Sequence, residues 1–335
     1  MKALRMEAPG VAAVAQVKEP AASAGEVLLR VKLVGMCGTD LNTFRGRNAM
    51  VEFPRVLGHE VAAEVVEGGG ERFPAGTLVT ISPYTSCGIC PSCRRGRVNA
   101  CQRNETMGVQ RDGAMTEYVR VPQEKLYTGR LTLKELCLVE PLTVGVHATA
   151  RGRVAAQDTV GVFGCGGVGL GAIAGAAFRG AETIAIDMDD AKLEIARKAG
   201  ARHLINTSRE DLHQRLQQIT GGQGPDVMIE AIGLPATFRA AVEEVAFTGR
   251  VVYIGYAKEP VSYETRLFVQ KELDVMGSRN ALPDDFREVI QMLEAGRFPV
   301  EDAVSAMVPI EEAAGMLRAW SDAPGSFTKI MVQIA

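Results

Sequence analysis

A chain of 335 residues with 47% apolar, 23% charged and 5% aromatic side chains has the composition of a folded protein and the length of about two ordinary domains. Its formal net charge of −3 gives no electrostatic reason to expect nucleic acid or an anionic membrane as partner. Gly, Arg, Asp or Glu interrupts every apolar stretch before it reaches membrane-spanning length. Met1 to Glu7 also lacks the apolar run of a secretory signal, so a cytoplasmic protein is expected.

The first 140 residues read as short strands between Gly and Pro turns. Segments 27–34, 58–66 and 77–81 are rich in β-branched and leucine residues, which suggests a compact, mostly β domain. The texture changes near residue 145. Strands at 158–164, 183–187, 203–206, 226–232, 250–254 and 273–277 then mostly alternate with helices at 168–179, 189–199, 208–219 and 236–247. That alternation predicts an α/β fold with an open, parallel, six-stranded sheet wound on both faces. Phe286, Val289, Ile290 and Leu293 share one face of a helix over 283–295, and Ile330, Val332 and Ile334 recur every second residue in a final strand, 328–335. The tail is expected to return to the first domain. The expected boundaries are 1–144 with 282–335 for the β domain, and 145–281 for the doubly wound one.

Gly164-Cys165-Gly166-Gly167-Val168-Gly169 fits G-x-G-x-x-G. The motif alone is weak, but here it follows a strand, opens a helix and precedes an acid, Asp187, at the end of the next strand. In that context the first glycine permits a tight turn, the second lets the backbone approach a pyrophosphate, and the third lets helix and strand pack closely. Asp187 is placed to accept from both adenosine ribose hydroxyls and to repel a 2′-phosphate, which favours NAD over NADP. Lys192 is a candidate ribose contact or a solvated helix lysine. Gly233, Gly255 and Ser278, at or just beyond the ends of later strands, complete the candidate cofactor contacts.

Seven cysteines in a chain without a secretory signal favour metal binding or free thiols over disulfides. Cys87, Cys90, Cys93 and Cys101 follow a C-x2-C-x2-C-x7-C spacing. Four such thiolates can close a tetrahedral structural zinc site with no open position. An iron–sulfur cluster is the competing use of four close cysteines. A catalytic zinc needs three or so protein ligands and a position for substrate, and Cys37, His59 and Glu140 are candidates. Spacing alone does not join residues so far apart.

The segments Gly35-Met36-Cys37-Gly38-Thr39-Asp40, Leu57-Gly58-His59-Glu60 and Glu140-Pro141-Leu142-Thr143-Val144-Gly145-Val146-His147, with the four-cysteine lobe and the glycine motif, do join them. Together they closely resemble the zinc-containing medium-chain dehydrogenases, particularly the sorbitol, threonine and sugar-acid branch, over nearly the whole chain. The resemblance implies a GroES-like catalytic domain carrying a structural zinc lobe at about 84–105, and a Rossmann domain. It also implies that Cys37 and His59 bind a catalytic zinc, with Glu140 as third ligand directly or through water. Glu60 is implied as an occasional ligand or a nearby acid. Asp40 is implied to orient His59, with turn capping as the plainer role. Zinc would favour the substrate alkoxide, Thr39 would pass the proton outward, and the carbinol carbon would give hydride to NAD. Asn42 stands where many relatives carry a histidine in the proton exit route. His147, His203 and His213 are read as structural or solvated. Homo-oligomers, dimer or tetramer, are also implied.

Leu273 to Asn280, Tyr84 with its lobe, Phe53 to Leu57 and Ala281 to Phe286 resemble dehydrogenases acting at the fifth carbon of hexonates such as L-galactonate and L-gulonate. Arg279 then becomes a candidate partner for a substrate carboxylate, against an interdomain salt bridge. Oxidation of threonine or 2,3-butanediol fits the same fold. A zinc-free reductase, or a non-catalytic NAD-binding structural or regulatory protein, is disfavoured because Cys37, His59 and Thr39 are all present.

Overall fold

The computed structural model describes residues 1–21 and 23–335. The chain divides into two compact units, Met1–Glu140 with Val300–Ala335, and Pro141–Pro299.

The first unit is built on the strand Glu26–Met36. Its side chains alternate between buried and half-buried as far as Leu33, after which every residue to Met36 is buried. This strand pairs antiparallel with Tyr118–Pro122, Glu60–Glu67 and Ile330–Gln333. The register sets Gly35 opposite Glu60 and Met36 opposite Ile330. The tail, whose alternation predicts a strand, pairs within the first unit and brings residues near 36, 60 and 330 side by side. Leu29, Val31, Val61, Ile81, Met115 and Leu317 are part of the core behind this sheet.

Several elements lie outside the sequence reading. The N-terminal hairpin pairs Lys2–Ala8 with Val11–Gln16. The strand stops at Met36, and Cys37 caps the helix Gly38–Phe44. Glu140 and Pro141 lie inside the long helix Leu133–Arg151. Proline lacks the N–H that the carbonyl four residues earlier would accept, so Pro141 reads in sequence as a helix boundary. The division between the two units falls at this point, between Glu140 and Pro141.

The second unit contains a fully parallel six-stranded sheet in the order His203–Asn206, Glu182–Asp187, Thr159–Phe163, Val227–Glu230, Arg250–Tyr253, Asp274–Gly277. In chain order this is 3-2-1-4-5-6, which opens a ligand crevice where the order reverses beside the first strand. Segment 282–299, expected with the first domain, groups instead with this unit. Its helix Pro283–Glu294 packs on the helix Gly167–Phe178, and Arg179 holds Glu288 through two 2.7 Å hydrogen bonds. Buried Asp285 bonds His147 at 2.8 Å and accepts from Leu282 N–H at 2.6 Å. Among the described residues no helix is long and apolar enough to cross a membrane.

Candidate metal and cofactor sites

Between residues 85 and 105 the buried residues are Cys90, Asn99, Cys101 and Asn104, so this lobe contains no apolar core of its own. What it contains is a sulfur cluster. The four Sγ atoms of Cys87, Cys90, Cys93 and Cys101 lie within 4.8 Å of one another, and Cys90 and Cys101 are 3.9 Å apart. A single tetrahedral zinc with bonds of about 2.3 Å holds its thiolates about 3.8 Å apart. A multi-iron cluster would spread them further because several irons intervene. The backbone N–H groups of Cys87 and Arg103 each donate to Cys101 Sγ at 3.3 Å. The Ser92 hydroxyl and nearby backbone N–H groups bring the Cys90 thiol down to about 5, whereas burial pushes Cys93 up to about 11. The donor set and its spacing fit one zinc ion.

A second cluster sits where the three paired strands converge. Cys37 caps its helix, and its N–H donates to Asp40 Oδ2 at 2.8 Å. His59 immediately precedes the strand that begins at Glu60. The ligand atoms of Cys37, His59 and Glu60 lie within 4.8 Å of one another. Glu140 is buried but is not part of that set, and its carboxylate accepts from the Tyr84 hydroxyl. Asp40 therefore fills the capping role. No hydrogen bond links it to His59: Asp40 Oδ1 and His59 Nδ1 are both buried without partners.

The electrostatics suit a bound cation. Burial pushes the carboxyls of Asp40 and Glu140 up. Burial alone would lower the His59 imidazole, but Cys37, Asp40 and Glu140 together hold it well above its usual range. A thiol, an imidazole and carboxylates that converge in a buried, anionic pocket form a donor set for zinc. Thr39 stands beside this set, with its hydroxyl 3.6 Å from Cys37 Sγ, and Asn42 lies exposed on the same helix.

Sequence reasoning missed Lys329. It is buried, and its Nζ lies 2.6 Å from both oxygens of Glu60 and 3.3 Å from the Met36 carbonyl. Glu60 and Cys37 hold this ammonium above its usual value against the cost of burial. The tail signalled only a strand, and a lysine at a strand start reads as solvated. Nor does the sequence signal the hydrogen bond from the Tyr84 hydroxyl to Glu140.

In the second unit a cavity of about 700 Å³ is lined by Gly164, Gly166, Asp187, Lys192, Ile232 and Thr237, among others. A methyl group on Gly166 would meet no atom within 4 Å, so the absence of a side chain there leaves space for a ligand. At Gly169, by contrast, a Cβ would fall 1.8 Å from the Gly164 carbonyl oxygen, so close packing alone demands glycine. Asp187 accepts from Cys165 N–H at 2.8 Å and Met188 N–H at 2.7 Å, which ties the glycine turn to the next strand. Val168 and Gly167 open the helix. Gly233 has φ +88 and packs against Tyr256, while a Cβ on Gly255 would fall 2.4 Å from Gly233 N. Ser278 is buried with its hydroxyl unpartnered, and Arg279 is exposed. His147, His203 and His213 each pair with a carboxylate, of Asp285, Glu182 and Glu244 respectively.

Comparison with known proteins agrees with this chemistry. The profile of the alcohol dehydrogenase GroES-like domain matches residues 23–130, and that of the zinc-binding dehydrogenases matches 167–295. An uncharacterized zinc-type alcohol dehydrogenase-like protein of Haemophilus influenzae is 32% identical over 335 residues, 98% of each chain. The L-galactonate-5-dehydrogenase of Escherichia coli K12 is 32% identical over 293 residues, 86% of each chain. Among solved structures, an alcohol dehydrogenase of Escherichia coli CFT073 in complex with NADH superposes with a TM-score of 0.91 at 28% identity, covering 100% of this chain and 99% of that one. The chain belongs to the zinc-type medium-chain alcohol and polyol dehydrogenase family.

Proposed function

We propose that this protein oxidises a secondary hydroxyl of a polyol, sugar or sugar acid with NAD as hydride acceptor. The observation that carries the reading is the convergence of Cys37, His59 and a buried carboxylate on one anionic pocket, next to the Thr39 hydroxyl. Cys37 and His59 would hold the catalytic zinc with Glu140 as the family's third ligand, and the four-cysteine site would hold a structural one. When bound, the catalytic zinc supplies Lewis acidity that favours ionisation of the substrate hydroxyl. Thr39 accepts that proton and relays it outward. Asn42 carries no basic group, so water or the cofactor ribose completes the exit. Tyr84 donates to Glu140 and orients its carboxylate.

The cavity beyond the glycine turn would hold the cofactor, with Gly166 and the helix N-terminus receiving its phosphates and Asp187 its adenosine ribose. A nicotinamide held there supplies the hydride acceptor. The Asp187 carboxylate disfavours a 2′-phosphate, and this underlies the preference for NAD.

Within this class a hexonate oxidised at C5 is the favoured substrate, supported by the relatedness to L-galactonate-5-dehydrogenase and by an arginine, Arg279, just beyond the sixth strand of the parallel sheet. The exposed edge strand Asp274–Gly277, with Val275 43% exposed, supports a homo-oligomer formed through that edge. Seven free cysteines suit a reducing, cytoplasmic compartment.

The test is NADH production by zinc-loaded protein across L-gulonate, L-galactonate, sorbitol, xylitol, L-threonine and 2,3-butanediol, with NADP in parallel. The reading expects the highest kcat/KM on a hexonate, and Arg279→Ala lowering that value far more than sorbitol turnover. A preference for sorbitol or threonine removes the carboxylate argument, and silence across the panel with zinc and NAD bound refutes the activity itself.

A further inference from the structure

The first unit contains a cavity that the dehydrogenase reading does not use. It measures about 540 Å³ and is walled by the N-terminal hairpin, the strand Arg55–Val56, the segment 107–113 and the strand Tyr118–Pro122. Four basic side chains line it, Arg5, Lys18, Arg111 and Arg120, against one carboxylate, Asp112. None of its lining residues belongs to the two ligand clusters or to the cavity at the glycine turn. We propose that this cavity is an anion site that takes the phosphate group of a small molecule.

Ion pairs remove only part of the positive charge. Arg5 pairs with Glu7 and Arg120 with Glu67, while Asp112 is held by Arg55 at 3.3 Å and by Val56 N–H at 3.1 Å. Among the described residues neither Lys18 nor Arg111 has an acidic partner within ion-pair distance, so two cations remain unbalanced. Arg111 is half-buried, and its guanidinium makes one hydrogen bond, to the Pro83 carbonyl at 3.2 Å. Its buried Nε has no partner, and neither has Nε of Arg120, whose side chain is 10% exposed. Burial pushes the Arg111 guanidinium below its usual range, but arginine does not give up its proton. The cluster is therefore short of acceptors and of negative charge. A phosphate monoester carries about −1.5 to −2 charge at pH 7 and offers three oxygens to such donors.

The cations are also held in place. Gly108 N–H donates to the Arg111 carbonyl and Gly113 N–H to that of Val56, each at 2.8 Å. A Cβ on Gly113 would fall 2.2 Å from the Leu57 carbonyl oxygen, so glycine lets the two backbones meet. A donor fixed in this way loses little freedom when a ligand arrives. Val17, Pro54 and Met107 add apolar wall beside the charges, and the volume lies in the range of small-molecule pockets, roughly 300–1,000 Å³. A free phosphate would leave that wall uncovered, whereas the organic part of an ester would lie against it.

The test is calorimetric titration of the full, zinc-loaded chain in the presence of NADH, which keeps a nucleotide cavity from competing for phosphate. Glycerol 3-phosphate and inorganic phosphate are the probes, at constant ionic strength. One glycerol 3-phosphate should bind per chain with a Kd below about 1 mM. Arg111→Gln should raise that Kd by about tenfold or more, and Lys18→Gln by about threefold. Arg111→Lys, which keeps the charge but loses the planar fork, should fall between wild type and Arg111→Gln. Exposed Lys258 of the second unit is the control, and Lys258→Gln should change nothing. If Arg111→Gln does not fold, Arg111→Lys and Lys18→Gln carry the comparison. Tighter binding of the ester assigns the cavity to an organic phosphate, and equal affinity assigns it to the free ion. Absence of saturable binding by either probe overturns the proposal, as does wild-type affinity in the Arg111 and Lys18 variants. Equal weakening by Lys258→Gln also overturns it, because general electrostatic attraction would then account for the binding.

Discussion

Gly166 and Gly169 sit in one motif but for different physical reasons, and alanine substitution should separate them. Gly166 adopts φ −75 and ψ −178, a conformation open to alanine, and a methyl there touches nothing within 4 Å. Gly166→Ala should therefore leave the unliganded protein as stable as the wild type, or more stable by roughly 0.4–1 kcal/mol through its effect on the unfolded chain. The methyl would instead occupy the place proposed for the pyrophosphate. Loss of one charge-assisted bond from the helix N-terminus costs about 1.5–3 kcal/mol. That corresponds to roughly a 10- to 150-fold rise in the Kd for NADH. Gly169→Ala forces a Cβ to within 1.8 Å of a backbone oxygen, so helix and strand must part. It should lose about 1–3 kcal/mol or more of stability as overpacking. Urea unfolding reads the first quantity and NADH fluorescence titration the second. If Gly166→Ala binds NADH like the wild type, or destabilises as much as Gly169→Ala, the assignment of open space to the cofactor is wrong.

Other expectations follow from the same geometry. Cys101→Ser should release one zinc per chain by elemental analysis and expose the 84–105 lobe to proteolysis, since no apolar core remains to hold it; retained zinc and resistance would contradict the structural site. Asp285→Ala removes both the partner of buried His147 and a bond to Leu282 N–H, and should cost about 2–4 kcal/mol in denaturant unfolding. A loss within about 0.5 kcal/mol would show the pair to be idle. Burial pushes the thiols of Cys137 and Cys165 far up. Because the thiolate is the nucleophile, both should resist alkylation at pH 8 in the native protein and react only on unfolding. Peptide mapping after a short iodoacetamide pulse checks this, and early labelling of either would refute it.

The parts of the fold legible in sequence were those written locally. The strand His203–Asn206 lay where its apolar run placed it, and the glycine motif opened the helix Gly167–Phe178 as its spacing required. The four cysteines were readable as a site because fifteen residues hold them all. What sequence did not show was produced by pairing over long separations. Lys329 meets Glu60 only because the strand Ile330–Gln333 lies beside Glu26–Met36 and the latter beside Glu60–Glu67. The helix Leu133–Arg151 was hidden by Pro141, and its second half packs on small residues: a Cβ on Gly145 would lie 2.2 Å from Ala172 N. Tertiary packing overrides the local signal there. Cys37, His59 and the carboxylates were joined in advance by family resemblance and in space by sheet register. Neither spacing nor composition joins them.

The most direct test of the account is the rate of NAD reduction by a favoured secondary alcohol, measured before chelation, after it, and after zinc is restored, with Cys37→Ser alongside. The account predicts activity that falls with zinc removal, returns with zinc, and is absent in Cys37→Ser even though its four-cysteine site keeps metal. NAD reduction that survives in Cys37→Ser would contradict it.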